Sequence, residues 1–391
     1  MQRRCFLSAA IALCVLGAHT IARAETRVPL APASAIAESV APFSFEAAGS
    51  GRVPNYLRAL PSGAAAPFAR LVQAVVTGGT LPPSIKLAML ERTAQANGVD
   101  YAASYWKRLA AAAPATTDTD RQRLAIRYAD ALTRDAHGIT DAFFTELRPR
   151  FNDAQLVELT LVTCFGNYFA RVSAGLGLSA ESWRTESPAA VAPAANPFSA
   201  ARVTLLTDGE IATVIRLSGT DKKGGLGIGI ANSQRAMARV PDIGDAWFGY
   251  WQEIRKQESL PRTTLLQVSL AVSNINGCRY CIVHQVVGLR RQGVEVSKLL
   301  ALQKSDDSLS AEERAAVTFA RKLTRTPGAV GDADFATLQA ALPGTKAVDV
   351  VLQTSAFAFM NRFTDTLHLP SEDEAIHIYQ EVFGTRPAGT E

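Results

Sequence analysis

The sequence predicts an all-α fold made of two tandem helical-bundle repeats arranged as a pseudo-dimer. Three observations carry this expectation. Apolar residues recur at helical spacing in both halves: Leu124, Ile126, Ala129 and Leu132 within 121–135, and Ala315, Phe319 and Leu323 within 311–325. Two long apolar stretches, 153–174 and 345–368, have no Gly/Pro break at strand spacing and read as helices buried in a bundle or an interface. The halves also pair in order. Leu81-Pro82-Pro83 matches Leu260-Pro261-Arg262 and Asn97-Gly98 matches Asn276-Gly277, at an offset of 179. Leu132-Thr133-Arg134 then matches Leu323-Thr324-Arg325, Glu158 matches Asp349, Arg171 matches Arg362, and Leu176-Gly177-Leu178 matches Leu367-His368-Leu369, at an offset of 191. One order repeated with one insertion is the mark of a duplication. Alternating strand patterns are scarce, with 203–215 the best exception.

Taken in chain order, residues 1–24 place Arg3 and Arg4 before an apolar run from Cys5 to Gly17 and end in Ala22-Arg23-Ala24, a small-x-small cleavage pattern. The run is shorter than the ~20 residues that span a bilayer, so a removable export signal is expected rather than an anchor. Arg3-Arg4-Cys5-Phe6-Leu7 fits the twin-arginine form of such signals. The mature chain is then expected in the periplasm, without a membrane partner. Removing Arg3, Arg4 and Arg23 from 40 basic residues leaves 37 against 36 acidic ones. A net charge near +1 argues against a nucleic-acid partner. Residues 25–50, rich in Ala, Pro and Ser, read as an extended arm. The first repeat spans 51–180. Residues 181–203, with Pro188, Pro193 and Pro197 among alanines, form a linker. The second repeat spans 204–391. Gly225, Gly227 and Gly229 lack a dinucleotide-binding context and read as loop.

Three of the five cysteines remain beyond the leader: Cys164, Cys278 and Cys281. Cys164 lies on an apolar helix and is expected to be inert packing. Cys278-Arg279-Tyr280-Cys281 is followed three residues on by His284. With Asn276 or Gly277 capping a helix, both cysteines lie in its first turns and share a face. The positive helix N-terminus and Arg279 favour thiolate, and Cys278, nearer the end, is the more favoured on this geometry. His284 could take or relay a proton. A thiol beside a resolving thiol suits reversible oxidation to sulfenic acid and then disulfide. A static disulfide, or a metal held by Cys278, Cys281 and His284, are the competing readings. Structural zinc takes four ligands, and no second Cys or His pair lies near in sequence, so neither a metal nor a cofactor is expected. In the first repeat Val99, Ala102 and Tyr105 stand where Cys278, Cys281 and His284 stand in the second. That half is expected to be chemically silent and to supply an interface.

Leu260-Pro261, then Asn276-Gly277-Cys278-Arg279-Tyr280-Cys281 and His284, with Asn361-Arg362-Phe363 downstream and Ala231-Asn232-Ser233 upstream, resemble the alkylhydroperoxidase D-like, carboxymuconolactone decarboxylase superfamily. The resemblance covers 205–385 in full form and 50–180 in degenerate form. It implies an all-α, oligomeric protein with the cysteine pair at a subunit or repeat interface. It also implies thiol-dependent peroxidase or disulfide reductase chemistry without a bound cofactor, with Cys281 peroxidatic and Cys278 resolving. A hydroperoxide or disulfide substrate, an unidentified thiol reductant and a homo-oligomeric partner follow from it, with Arg279, Tyr280, Gln285 and Gln267 as supporting residues. Two positions depart from the pattern. Leu266, beside Gln267, stands where the relay glutamate is expected. Gln285 stands where the relay histidine is expected, with His284 one residue early. The carboxylate–histidine relay is therefore expected to be incomplete. The alternatives are a decarboxylase- or isomerase-like enzyme, with Arg362 orienting a small organic acid between the repeats, and a non-catalytic protein.

Overall fold

The computed structural model describes residues 26–46, 51–185, 205–207, 209–210, 229–385 and 387. Every regular element among them is helical. The leader, most of the Pro/Ala linker and most of 203–215 lie outside the described residues. No helix among the described residues is long and apolar enough to cross a membrane.

The first half comprises α1 (Ala33–Val40), α2 (Asn55–Arg58), α3 (Ala65–Thr77), α4 (Pro83–Ala96), α5 (Asp100–Ala112), α6 (Thr119–Arg134), α7 (Asp141–Leu147) and α8 (Asp153–Gly175). The second comprises α9 (Asn232–Met237), α10 (Pro241–Lys256), α11 (Arg262–Asn276), α12 (Arg279–Arg291), α13 (Val296–Lys304), α14 (Ala311–Arg325), α15 (Asp332–Ala341), α16 (Thr345–Thr366) and α17 (Asp373–Phe383). Proline precedes the first residue of both α4 and α11, at Pro82 and Pro261, where its fixed φ suits a helix start. Ser310 and Glu313 close a capping box on α14, and Asn152 and Gln155 do so on α8, satisfying amides that a helix start leaves free. Gly277 ends α11 in the left-handed region at φ 70°, which lets α12 begin at once.

α4 packs on α5, α6 and α8, and α11 packs in the same way on α12, α14 and α16. Paired acids do the same work in each half. Glu158 accepts the backbone amides of Thr80 and Leu81, and Asp349 accepts those of Ser259 and Leu260. α8 and α16 lie against each other at the centre. Across that seam Arg171 Nη2 donates to Thr324 O at 3.1 Å, and Arg362 Nη2 donates to Thr133 O at 3.2 Å. Thr133 and Thr324 sit in the last turns of α6 and α14, so each half's arginine caps the negative end of a helix in the other half.

Within the expected extended arm at 25–50, the described residues 26–46 are instead docked and partly helical. Ile36 and Val40, one turn apart in α1, are buried. Upstream, the Arg27 guanidinium binds Ala174 O and Val330 O, tying the segment across both halves. The composition concealed this because only a few side chains do the anchoring. Cys164 is fully buried in α8, and burial pushes its thiol well up.

Candidate active site

Cys278 is the residue capping α12. Its sulfur accepts the Cys281 backbone amide at 3.3 Å. Cys281 lies in the first turn of the same helix, so both sulfurs face α16. There they meet one hydroxyl: Thr364 Oγ1 is 3.2 Å from Cys278 Sγ and 3.5 Å from Cys281 Sγ. Both cysteines are free and buried. Burial, reinforced by Cys281 and the Asp365 carboxyl, pushes the Cys278 thiol well up. The helix terminus alone favours thiolate at Cys278, and that expectation is overturned: desolvation of the buried sulfur outweighs the partial charge of a few amides.

Asp365 follows Thr364 and closes the site. Burial raises its carboxyl to about 6, against the opposing pull of Cys278, His137, Arg362 and Arg279. Its Oδ2 is buried without a hydrogen-bond partner and lies 3.8 Å from His137 Nε2. His137 comes from the loop after α6, in the first half, and its Nε2 is 2.8 Å from Asn276 O. Gly277 leaves room for this approach, since a Cβ there would stand 3.1 Å from that nitrogen. The silent half thus places a side chain at the cysteine site.

His284 has a carboxylate after all. Its Nδ1 faces the Tyr280 carbonyl at 2.6 Å, and its Nε2 is 2.5 Å from Glu372 Oε2. Glu372 caps α17, 88 positions away, which is why the incomplete relay expected from Leu266 is only half correct. Glu372 also accepts the Asn232 amide at 2.5 Å and the Tyr280 hydroxyl at 3.0 Å. The first half repeats this lock without the histidine: Glu181 accepts the Asn55 amide at 2.5 Å and the Tyr101 hydroxyl at 2.9 Å. Two of the contacts of Glu372 are therefore architectural, and the His284 contact is the addition. The ring of Tyr280 stacks on His284 with centroids 4.0 Å apart.

Neither ring nitrogen of His284 bonds a sulfur. The remaining supporting residues scatter. Gln267 donates to Glu313 at the start of α14, away from the thiols. Gln285 is buried, with Oε1 unpartnered. Arg279 is exposed and acts on Asp365 through its charge. Arg362 donates to the Thr133 and Ala358 carbonyls, its Nε is buried without a hydrogen-bond partner, and it lines a cavity of about 650 Å³ between the halves. Among the described residues no three His, Cys, Asp or Glu side chains gather as a metal would require.

The Glu372 lock has a measurable pH dependence. His284 and the Asn232 amide hold its carboxyl below the ordinary value of 4.5 although burial opposes them. A depressed carboxyl stabilises the fold above its unfolded pKa, and that contribution fades as pH falls through the lower folded value. Glu372→Gln should therefore lower the melting temperature near neutral pH and flatten its decline between about pH 5 and pH 3. Parallel declines for the two proteins in pH-dependent melts would remove this role.

Fold and site together define a helical-bundle protein with a paired-cysteine centre at the start of one helix. Residues 241–322, from α10 into α14, match the model of the carboxymuconolactone decarboxylase family. Two solved structures of the debrominase Bmp8 are similar to this chain. One is a variant in complex with 2,3,4-tribromopyrrole, 22% identical, with 46% of this chain aligned to 96% of that chain at a TM-score of 0.41. The other is the apo form, with the same identity and coverage at a TM-score of 0.39. No curated protein sequence matches the chain.

Proposed function

We propose that this protein is a thiol-dependent oxidoreductase in which Cys281 attacks a hydroperoxide and Cys278 resolves the product. The observation that supports this is the pair of sulfurs converging on the Thr364 hydroxyl with the Asp365 carboxyl beside Cys278. In the first step the Cys281 thiolate attacks the terminal peroxide oxygen, the S–O bond forms as the O–O bond breaks, and the departing alkoxide takes up the proton the thiol had lost, giving Cys281 sulfenic acid and an alcohol. In the second, Cys278 attacks that sulfur, the S–S bond forms and the S–O bond breaks. Asp365 takes the Cys278 proton and returns it to the departing hydroxide as water. The high thiol of Cys278 makes such a base necessary, and His137 from the other half steadies the carboxylate. A low-molecular-weight or protein thiol then reduces the disulfide. A disulfide substrate would follow the same attack without the sulfenic acid.

The leader at 1–24 supports placing this chemistry outside the cytoplasm, and the paired order of the halves supports a duplicated bundle whose first copy serves as an in-built partner. Association of whole chains into a homo-oligomer is part of the same reading.

The direct test is to reduce the protein, add cumene hydroperoxide, and follow the peptide carrying both cysteines by mass spectrometry. One disulfide per chain, formed with one equivalent of peroxide, is the expected result. Intact thiols after excess peroxide would end the proposal. The resolving step should also accelerate as pH rises through about 6, where Asp365 becomes a base. Asp365→Asn should lose that limb and slow disulfide formation by about 10²-fold, the usual scale of general-base assistance. An unaltered pH profile would remove Asp365 from the mechanism.

A further inference from the structure

A cavity of about 460 Å³ opens between α10, α11, α12 and α16. It lies on the thiol-bearing side of two helices. Gly288, on its wall, is seven residues from Cys281, two helical turns along one face of α12 and about 10 Å away. Met360, also on its wall, is one turn from Thr364 on α16, and Thr364 Oγ1 bonds the Met360 carbonyl at 3.0 Å. Its inner surface is aromatic and soft: Trp247, Phe248, Trp251, Phe357 and Met360. Trp247 and Trp251 stack parallel at 6.1 Å.

The end remote from the thiols is cationic. Arg255, Arg262 and Arg291 all line it. Arg291 stands ten residues from Cys281 on α12, about 15 Å along the axis. Arg262 starts α11, whose other end leads into the cysteine turn. Arg262 Nη1 is buried without a hydrogen-bond partner, and Glu258 Oε1, at 3.7 Å, is buried without one as well. Glu258 is the carboxylate that acts on both Arg255 and Arg262, so the two cations share it. Arg291 is 3.7 Å from Glu374, an exposed contact. Burial and the neighbouring Arg255 bring Arg262 down to about 10, which leaves it charged at neutral pH. Two guanidinium groups sharing one acid, 3.7 Å from Arg262 Nη1, leave a net positive charge at this end, and aromatic walls suit an apolar body.

We propose that this cavity binds an elongated organic anion with an aromatic or apolar body, its charged end on Arg255 and Arg262 and its other end directed along α12 toward Cys281. The proposal rests on the thiol reading above, and it assigns that reaction an amphipathic acid as the substrate class. No bond changes at the cavity itself. It supplies binding and alignment of the reacting end.

The test is calorimetric titration of the full-length Cys281→Ser protein, in which thiol chemistry is disabled. The probes are 2-naphthoate, its uncharged relative 2-naphthalenemethanol, and acetate. The expected order is 2-naphthoate tightest by about tenfold over 2-naphthalenemethanol, with acetate not detectably bound. Arg262→Gln should remove that advantage. Arg255→Gln, at the exposed mouth, should reduce it without the folding risk of stranding Glu258. Equal binding of the charged and uncharged naphthalenes, no binding of 2-naphthoate at millimolar concentration, or full retention of its advantage in both arginine variants would overturn the assignment. Because the titration needs no peroxide turnover, binding with inert thiols would defeat only the functional reading. Peroxide-driven disulfide formation without naphthoate binding would defeat only this one.

Discussion

Cys281→Ser should abolish hydroperoxide-driven disulfide formation, a fall of about 10³-fold or more, the scale on which loss of an attacking nucleophile is felt. Cys278→Ser should behave differently. Cys281 would still be oxidised, but with no partner sulfur the sulfenic acid would persist and be captured by dimedone in a one-to-one adduct. The proposed order agrees with the surroundings of Cys278. Cys278 is the sulfur that burial, Cys281 and Asp365 together hold in its protonated form, so it suits the second step, where Asp365 can receive its proton. The serine at either position keeps size and the Thr364 hydroxyl within reach, so loss of packing does not confuse the outcome. A dimedone adduct at Cys278 in Cys281→Ser, with none at Cys281 in Cys278→Ser, would reverse the roles. Normal turnover in both variants would remove the pair from catalysis.

The largest effect on stability is expected at Lys86. It is fully buried, 3.0 Å from Glu158, and also bonds the Gly78 carbonyl. Glu158 holds the Thr80 and Leu81 amides, so this pair anchors the turn into α4. Lys86→Met leaves a buried carboxylate without its counter-charge, a change that typically costs about 3–5 kcal/mol. At roughly 2–4 °C per kcal/mol, the melting temperature should fall by about 6–20 °C. The second half shows how the same turn is made without a lysine. There Asp349 takes the Ser259 hydroxyl and the Ser259 and Leu260 amides, while Leu265 fills the position matching Lys86. Lys86→Leu combined with Glu158→Asp copies that arrangement and should recover part of the loss. A fall of under about 1 kcal/mol for Lys86→Met would show that solvent or repacking satisfies Glu158.

Much of the bundle was legible because strong periodicity and long apolar runs are local signals. Helices expected within 121–135, 153–174, 311–325 and 345–368 appear as Thr119–Arg134, Asp153–Gly175, Ala311–Arg325 and Thr345–Thr366. The cysteine turn was legible for the same reason, since Asn276-Gly277 and the three-residue spacing are local. What was missed depends on contacts between distant positions. Glu372 meets His284 across 88 residues, and His137 reaches Asn276 across 139. No spacing rule predicts either. A signal was nevertheless present in the paired order of the two halves. At the offset of 191, Glu372 pairs with Glu181, which marks a shared structural acid. Asp365 pairs with Ala174, and at the offset of 179 Cys278 and Cys281 pair with Val99 and Ala102, so the acid is present in the half that carries the thiols. Arg362 was ambiguous. Its charge suggested a ligand, and its match with Arg171 also marked a role across the seam that sequence alone does not separate from ligand binding. Cys278 misled because a helix terminus can be read from sequence while the burial that outweighs it cannot.

The exchange of guanidinium groups between Arg171 and Thr324, and between Arg362 and Thr133, bears on dilution. Two separate chains joined by such contacts would part as their concentration fell, and each would then strand an arginine. Joining the partners in one polypeptide replaces that bimolecular encounter with an internal one, at an effective concentration set by the connection alone. The cysteine centre, with His137 delivered from the opposite side, is then complete in every molecule however scarce the protein becomes.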